Sequence, residues 1–286
     1  MKTSITSYSY SQLYKQGSFT LFDAMDHAVS IGADGFEFTE LRMPEGKTKL
    51  EFAKELKEYA DAKGLPIVAY AIGANFMAKD QEAEIARVKS EVDVAAALGC
   101  PTMRHDVTGG FPDWYQGVRT YGSILPILAK GCRAVTEYAA EKGVRTCSEN
   151  HGYFFQEADR VIALIEAVNH VNYGVLCDFG NFLFADDDSA VAVSKVAPCT
   201  FHVHAKDFLF KPGQEAHPGS GWAESRGRNY LRATIIGHGV VPVRQNVRIL
   251  KSAGYEGYIT VEFEGLESPL NAIAIGLENL KNYINQ

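Results

Sequence analysis

Short apolar runs alternate with amphipathic stretches along the whole chain. Runs near 3–8, 35–39, 66–72, 101–106, 144–149, 173–178, 200–205 and 257–263 read as eight strands. Between them, apolar residues recur at helical spacing. Ile85, Val88, Val92 and Ala95 form one stripe, and Ile124, Leu128, Cys132, Val135 and Ala139 another. Leu270, Ile273, Leu277, Leu280 and Ile284 form the last. Ser268-Pro269 reads as an N-cap with proline at the first helical position. Gly64, Gly143 and Gly254 stand where a helix ends in a left-handed cap before the next strand.

Eight βα units in 286 residues predict a (β/α)8 barrel, one domain spanning residues 1–286. The rival, a doubly wound open sheet, needs a glycine-rich phosphate turn after the first strand. Tyr8-Ser-Tyr-Ser-Gln-Leu13 is not one. No linker or internal repeat interrupts the pattern. Residues 207–242 break the rhythm, with Gly, Pro and polar residues between the seventh strand and its helix. On a barrel they lie at the C-terminal face, as an active-site or interface loop.

On each strand, alternation assigns side chains to the barrel interior or the helix layer. Phe36 and Phe38 go outward and Glu37 inward. Phe201 and Val203 go outward, His202 and His204 inward. Ile259, Val261 and Phe263 go outward and Glu262 inward. The fifth strand ends in Cys-Ser-Glu149 and the sixth in Leu-Cys-Asp178. Glu149, Asp178, His204 and Glu262 therefore converge at the C-terminal ends of the fifth to eighth strands. Three buried carboxylates in one place cannot all stay ionised without a cation. One imidazole and three carboxylates favour Mn²⁺ or Mg²⁺ and tolerate Co²⁺ or Fe²⁺. Zinc is a poorer match, because it prefers nitrogen and sulfur.

Composition narrows the field. The net charge of −7 argues against nucleic acid and anionic membrane, which need clustered Lys and Arg. The five cysteines (100, 132, 147, 177 and 199) are odd in number and form no CxxC pair, so free thiols in a reducing cytoplasm are expected. Met1–Tyr10 holds one Lys and no apolar segment of the kind a signal peptide carries. No stretch reaches the roughly 20 apolar residues of a membrane helix.

Four motifs carry a family resemblance: Ser-Glu149-Asn-His, Cys-Asp178-Phe-Gly-Asn181, His202-Val-His204-Ala-Lys206-Asp207 and Val-Glu262-Phe-Glu. Together they resemble the xylose-isomerase-like TIM barrels of the sugar phosphate isomerase/epimerase family, over essentially the whole chain. The resemblance implies that Glu149, Asp178, His204 and Glu262 bind a catalytic divalent metal, the same four residues that strand alternation selects. The departures narrow it. Endonuclease-IV-type barrels carry a His three residues after the strand-six Asp and another on strand three. Here Asn181 holds the first position, and Ala71-Ile-Gly-Ala-Asn75 contains no His. Ketose 3-epimerases place a second Glu six residues after the first ligand, where this chain has Phe155.

His151, two residues past Glu149, is the candidate base for taking a proton from carbon beside a metal-polarised carbonyl. His105, placed on the interior side of its strand, is expected to hold a sugar hydroxyl or the substrate oxyanion. His202 lies one layer below His204 and reads as its support. Glu37, Asn181 and Lys206 are further expected substrate contacts. In the 207–242 loop, Trp222 is placed to stack on a sugar or flat aglycone, and Arg228 and His238 to bind a hydroxyl or carboxylate. The Gly-Trp222, Arg226-Gly-Arg228-Asn-Tyr230 and Gly237-His-Gly239 segments look most like the barrel subunit of C-glycoside deglycosidases. That likeness implies a metal-dependent lyase on a 3-keto C-glycoside, and a small β-rich partner subunit in a hetero-oligomer. A ketose epimerase or isomerase and a non-catalytic sugar-binding barrel are the alternatives.

Overall fold

The computed structural model describes Met1–Gln286. Seven parallel strands follow one another around a barrel: β1 (Lys2–Thr6), β2 (Phe36–Thr39), β3 (Ile67–Ile72), β4 (Thr102–His105), β5 (Arg145–Glu149), β6 (Tyr173–Asp178) and β7 (Thr200–Ala205). The eighth barrel strand comes last in the chain. It is β11 (Tyr258–Val261), which pairs with β7 on one side and β1 on the other and closes the ring. The barrel expected from the pattern is therefore the fold. The first strand is shorter than expected, because Ser7–Tyr10 turn into a 3-10 helix that Thr6 caps.

Helices cover the outside. They are α1 (Ser11–Tyr14), α2 (Leu21–Ser30), α3 (Lys49–Ala62), α4 (Gln81–Ala97), α5 (Tyr121–Glu141), α6 (Ala158–Val168), α7 (Ser189–Val196), α8 (Val243–Ser252) and α9 (Pro269–Asn285). The stripes read in the sequence are the buried faces of α4, α5 and α9, with Val88, Val92, Leu128, Val135, Ile273 and Leu280 fully enclosed. They pack on outward strand residues such as Phe36, Phe38, Val203 and Ile259. Thr20 and Thr48 each close a capping box, with Asp23 and Glu51 respectively. Ser268 occupies the N-cap of α9 without a side-chain hydrogen bond, so Pro269 alone shapes that entry. No helix is long and apolar enough to cross a membrane.

Two local departures bear on the site. In β7, Phe201 is the extra residue of a bulge opposite Val175 and Leu176. It does not point into the helix layer. Its ring fills the space that Gly174 leaves free and lies 4.7 Å from the Arg145 guanidinium. The 207–242 segment is not irregular either. It folds as a three-stranded antiparallel sheet, β8 (Asp207–Lys211), β10 (Tyr230–Thr234) and β9 (Ala223–Glu224), in that order. Asp207 anchors it: its carboxylate accepts from the N–H groups of Phe208, Gly237, Gly239 and Val241.

Candidate metal centre and active site

Glu149 ends β5, Asp178 ends β6, His204 lies near the end of β7, and Glu262 follows β11. One ligand atom from each of these four lies within 4.8 Å of the others, and all four residues are buried. His204 Nδ1 is 3.1 Å from Glu262 Oε2, 3.8 Å from Glu149 Oε1 and 4.0 Å from Asp178 Oδ2. Asp178 Oδ1 accepts two backbone N–H bonds, from Gly180 and Asn181, both 2.7 Å. The chain can pass this close because Gly180 has no Cβ. A Cβ there would sit 2.6 Å from the Phe208 ring.

Asp178 Oδ2 is different: it is buried and has no hydrogen-bond partner. Burial, only partly offset by Lys206, and the neighbouring Glu149 and Glu262 carboxylates push Asp178 up to about 7. An orphaned carboxylate oxygen facing two other carboxylates and an imidazole nitrogen fits a hard divalent ion.

A second layer holds this cluster. His204 donates through Nε2 to Glu37, at 2.9 and 3.0 Å from its two oxygens. Burial pulls His204 down, but Glu37 on one side and Glu262 on the other raise it well above its ordinary value, so a cation at Nδ1 would take the place of a proton held there by Glu262. His202 Nε2 lies 2.8 Å from Glu37 Oε2 and 2.9 Å from Thr260 Oγ1. Glu37 is fully buried. Burial alone would raise its pKa, but His204 and His202 hold it well below the usual carboxylate range. The expectation that Glu37 touches a sugar hydroxyl is thereby corrected: it lies beneath the cluster and orients two histidines. Asn181 is corrected in the same way. Its Nδ2 donates to Glu149 Oε1 at 2.9 Å and it lies outside the cavity, so it holds a carboxylate rather than substrate.

A cavity of about 500 Å³ opens above the cluster. Glu149, His204, Glu262, Lys206, Arg104, Asp106 and His151 line one part of it. Lys206 Nζ stands 2.8 Å from Glu262 and 3.1 Å from Glu264. His151 is half exposed at the rim, with Nδ1 3.0 Å from Asp106 Oδ1. Burial pulls the imidazole down, but the hydrogen bond to Asp106 and the charges of Glu149 and Asp106 raise it above its ordinary value, against Arg104. Arg104 ties the two ends together. Its Nη2 is 2.8 Å from Asp106 and 2.7 Å from Glu149, while Nη1 donates to the Ile72 carbonyl at 3.1 Å.

A model of the xylose isomerase-like TIM barrel family matches residues 25–283. The chain belongs to that family. This member is 26% identical to an inosose dehydratase of Geobacillus thermodenitrificans over 145 residues, which is 48% of this chain and 46% of that enzyme. The chain thus spans about half the length of the curated relatives it matches. The fold also superposes on 3-keto-D-glucoside 4-epimerase from E. coli with a TM-score of 0.71 and 17% identity, covering 99% of both chains. A xylose isomerase-like TIM barrel protein from Mycobacterium smegmatis in complex with magnesium superposes with a TM-score of 0.68 and 17% identity, over 92% of this chain and 87% of that one.

Three expected loop contacts, Trp222, Arg228 and His238, are not part of the cavity. Trp222 packs under the Arg232 guanidinium, 5.2 Å from it, and Arg228 is exposed and paired with Glu224. No residue from 207 to 242 lines the cavity. His105 is also displaced. Its ring is buried in the helix layer, stacked on Tyr173 at 6.1 Å and edge-on to Phe76 at 5.5 Å. Its Nδ1 donates to the Asp106 carbonyl at 2.8 Å, and burial pushes it down to about 4. Arg104, one residue earlier, takes the interior position. Sequence reasoning missed Arg104, Asp106 and Asn150. The Asn150 amide bridges strands by donating to the Asp178 carbonyl and accepting from its N–H. The strand-four alternation read one residue out of phase hid the first two. Asn150 sits beside Glu149 in the motif, but nothing in its type announces a backbone bridge.

Proposed function

We propose that this family member is a divalent-metal-dependent keto-sugar lyase that breaks the C–C glycosidic bond of a 3-keto C-glycoside. The observation that carries the proposal is His151, held by Asp106 at the rim of the cavity, two residues past a carboxylate of the four-residue cluster. Glu149, Asp178, His204 and Glu262 would hold the ion, Mn²⁺ first and Mg²⁺ or Co²⁺ next, and when bound it supplies Lewis acidity to the C3 carbonyl. His151 takes the proton from C2 through Nε2, because Nδ1 is committed to Asp106. The C2–H electron pair becomes the C1–C2 double bond. The bond from C1 to the aglycone breaks, and its electron pair leaves with the aglycone carbon. That carbon takes a proton, which the imidazolium of His151 returns. No external oxidant or reductant is needed. Asp106 fixes the imidazole tautomer, and Arg104 holds Asp106 in place.

The substrate is a small keto-glycoside, and the likeness to deglycosidase barrels adds a small β-rich partner subunit in the cytoplasm. The 207–242 sheet walls no part of the cavity, which leaves it for that interface. Elimination beside a ketone is also the kind of reaction that the name of the inosose dehydratase relative denotes.

A second reading, a keto-sugar epimerase or isomerase, is favoured by Lys206. Its ammonium enters the cavity just past β7, where burial pulls it down but Asp178, Glu262 and Glu264 hold it well above its ordinary value, and it gives the site a fixed positive charge for an enolate oxygen. That reading predicts inversion at a carbon or migration of the carbonyl, with no aglycone released.

The deciding experiment incubates purified protein and Mn²⁺ with a 3-keto aromatic C-glucoside, with and without the partner subunit, and follows free aglycone by chromatography. Chelator-sensitive release is the expected result. An epimerised or isomerised sugar with the aglycone still attached, from metal-loaded protein, would replace the lyase reading with the second one.

A further inference from the structure

His151 stands on a strained piece of chain. It is followed by Gly152 at φ 78° and Tyr153 at φ 57°, both left-handed. Glycine takes that conformation freely, whereas a tyrosine keeps it only where its surroundings hold it. The chain returns at the buried Phe155, which bridges back to His151. Phe154 is held from α6, where Arg160 donates to its carbonyl at 2.6 Å and pairs with Glu157 at 3.1 Å. Tyr153 is held from the 207–242 segment. Arg226, in the connection from β9 to β10, donates to the Tyr153 carbonyl and pairs with both oxygens of Glu157. The Tyr153 hydroxyl donates to the Glu224 carbonyl at 3.0 Å, and its ring lies edge-on to Phe184 at 5.6 Å. Arg226 is itself well anchored. Its N–H donates to the Phe184 carbonyl at 2.8 Å. Asp186 ties down the residues around it, accepting from Ser225 Oγ at 2.7 Å, Asn229 Nδ2 at 2.8 Å and the Gly227 N–H. Arg226 is 38% exposed and Glu157 26%, so their pairing adds little to stability. Its effect is geometric, because a planar guanidinium that bonds a carbonyl and a carboxylate together fixes direction as well as distance.

We propose that Arg226 is a positioning residue: it clamps the Gly152–Tyr153 turn and thereby holds the His151 imidazole against Asp106 at the cavity rim. The inference rests on the reading of His151 as the base and extends it to the 207–242 sheet. That sheet lines no part of the cavity, and neither does Arg226, so the guanidinium acts through the turn and not on substrate. Without the clamp, Tyr153 relaxes from its left-handed conformation and the imidazole swings away from Asp106.

Two readouts test the clamp, one of them without turnover. Mg²⁺-loaded protein labelled with ¹⁵N at histidine gives side-chain NMR spectra in which His151 is identified by its absence from His151→Ala. At mildly alkaline pH the wild-type ring should show one tautomer, with its proton on Nδ1 toward Asp106. In Arg226→Met the two nitrogen shifts should move toward their average, because the ring turns away from that carboxylate. Arg228→Met, two residues along the same connection, should give the wild-type spectrum. In turnover of a 3-keto aromatic C-glucoside, Arg226→Met should lower kcat about tenfold, with KM, metal content and melting temperature near wild type. Arg226→Lys should recover part of that loss, since an ammonium can bond the Tyr153 carbonyl or Glu157 but does not hold both in one plane. Glu157→Gln removes the other half of the clamp and should shift the spectrum in the same direction, which decides the matter if Arg226→Met folds poorly. A wild-type His151 spectrum in both Arg226→Met and Glu157→Gln overturns the inference. So does a loss confined to KM, which would make Arg226 a substrate contact. If the spectra shift as expected while the wild type releases no aglycone, the lyase reading fails and the clamp stands.

Discussion

The two sides of the barrel mouth are built on opposite principles. On the side formed by β5, β6, β7 and β11, charge is buried deeply and almost every polar atom is committed to another. Asp178 takes two backbone N–H groups, His204 is held by Glu37, and Glu149 is held by Arg104 and Asn181. On the side formed by the segments after β1 and β2, the charge is at the surface: Ser7 and Thr39 bond each other, while Arg42 is exposed and forms no ion pair. A committed polar group is rigid and holds a fixed geometry. An open one is available to whatever arrives. The contrast separates a rigid, charge-burying side from a more exposed one, and mutations on each should fail differently.

The largest effect belongs to the committed side. Glu149→Ala removes one of the four clustered donors and frees Arg104 beside the other three. Metal per chain, measured by elemental analysis after dialysis, should fall to background, while circular dichroism keeps the barrel signature. Unchanged metal content would take Glu149 out of the ligand set. His151→Ala comes next and breaks the comparison differently. It should leave metal content untouched and lower turnover about a thousandfold, the scale of a lost general base. Near-normal turnover with metal retained would remove His151 as the base.

Why the committed side was legible in the sequence, and its supports were not, follows from geometry. Residues two apart on a strand share a face, so His202, His204, Glu37 and Glu262 could be placed inside the barrel from alternation alone. The same rule failed on β4, whose four residues, Thr102–His105, are all buried. Buried on both faces, they give no polar alternation that fixes the phase. Arg104 was therefore passed over, and His105 was sent into the cavity instead of the helix layer. The role of Glu37 was misjudged for a related reason. Alternation gives a side, not a depth, and depth separates a substrate contact from a residue under the cluster. Trp222 precedes β9 and Arg228 lies in the connection from β9 to β10, where nothing in the local sequence reports the distance to the barrel mouth.

Asp106, found only in three dimensions, supplies the next test. Asp106→Asn keeps the shape but lets an amide face His151 Nδ1, which favours the wrong tautomer or orientation. Turnover should drop about a hundredfold with metal content and thermal stability near wild type. The loss should lie in kcat rather than KM. A pure KM effect would make Asp106 a substrate contact. Glu37→Gln is smaller in activity and larger in structure. It weakens the bond that holds His204, and metal affinity should fall about tenfold, the usual scale for a residue that orients a ligand. Thermal melting should shift down as well, because two buried histidines lose their shared carboxylate. Melting and metal affinity both unchanged would mean that packing alone holds His204.

The smallest expected effect is the sharpest test of where recognition ends. Trp222→Ala and Arg228→Ala alter the 207–242 sheet, outside the cavity. Trp222 packs on Arg232, and Arg228 is an exposed partner of Glu224. An exposed ion pair contributes little to stability, so both proteins should fold and load metal normally. Their kcat and KM on a keto-glycoside should match wild type when the barrel is assayed alone. If the sheet serves the partner subunit, the same variants should weaken co-purification of that subunit. A rise in KM for the barrel alone would bring the sheet over the cavity during turnover. The division between a committed and an open side would then apply only to the resting barrel.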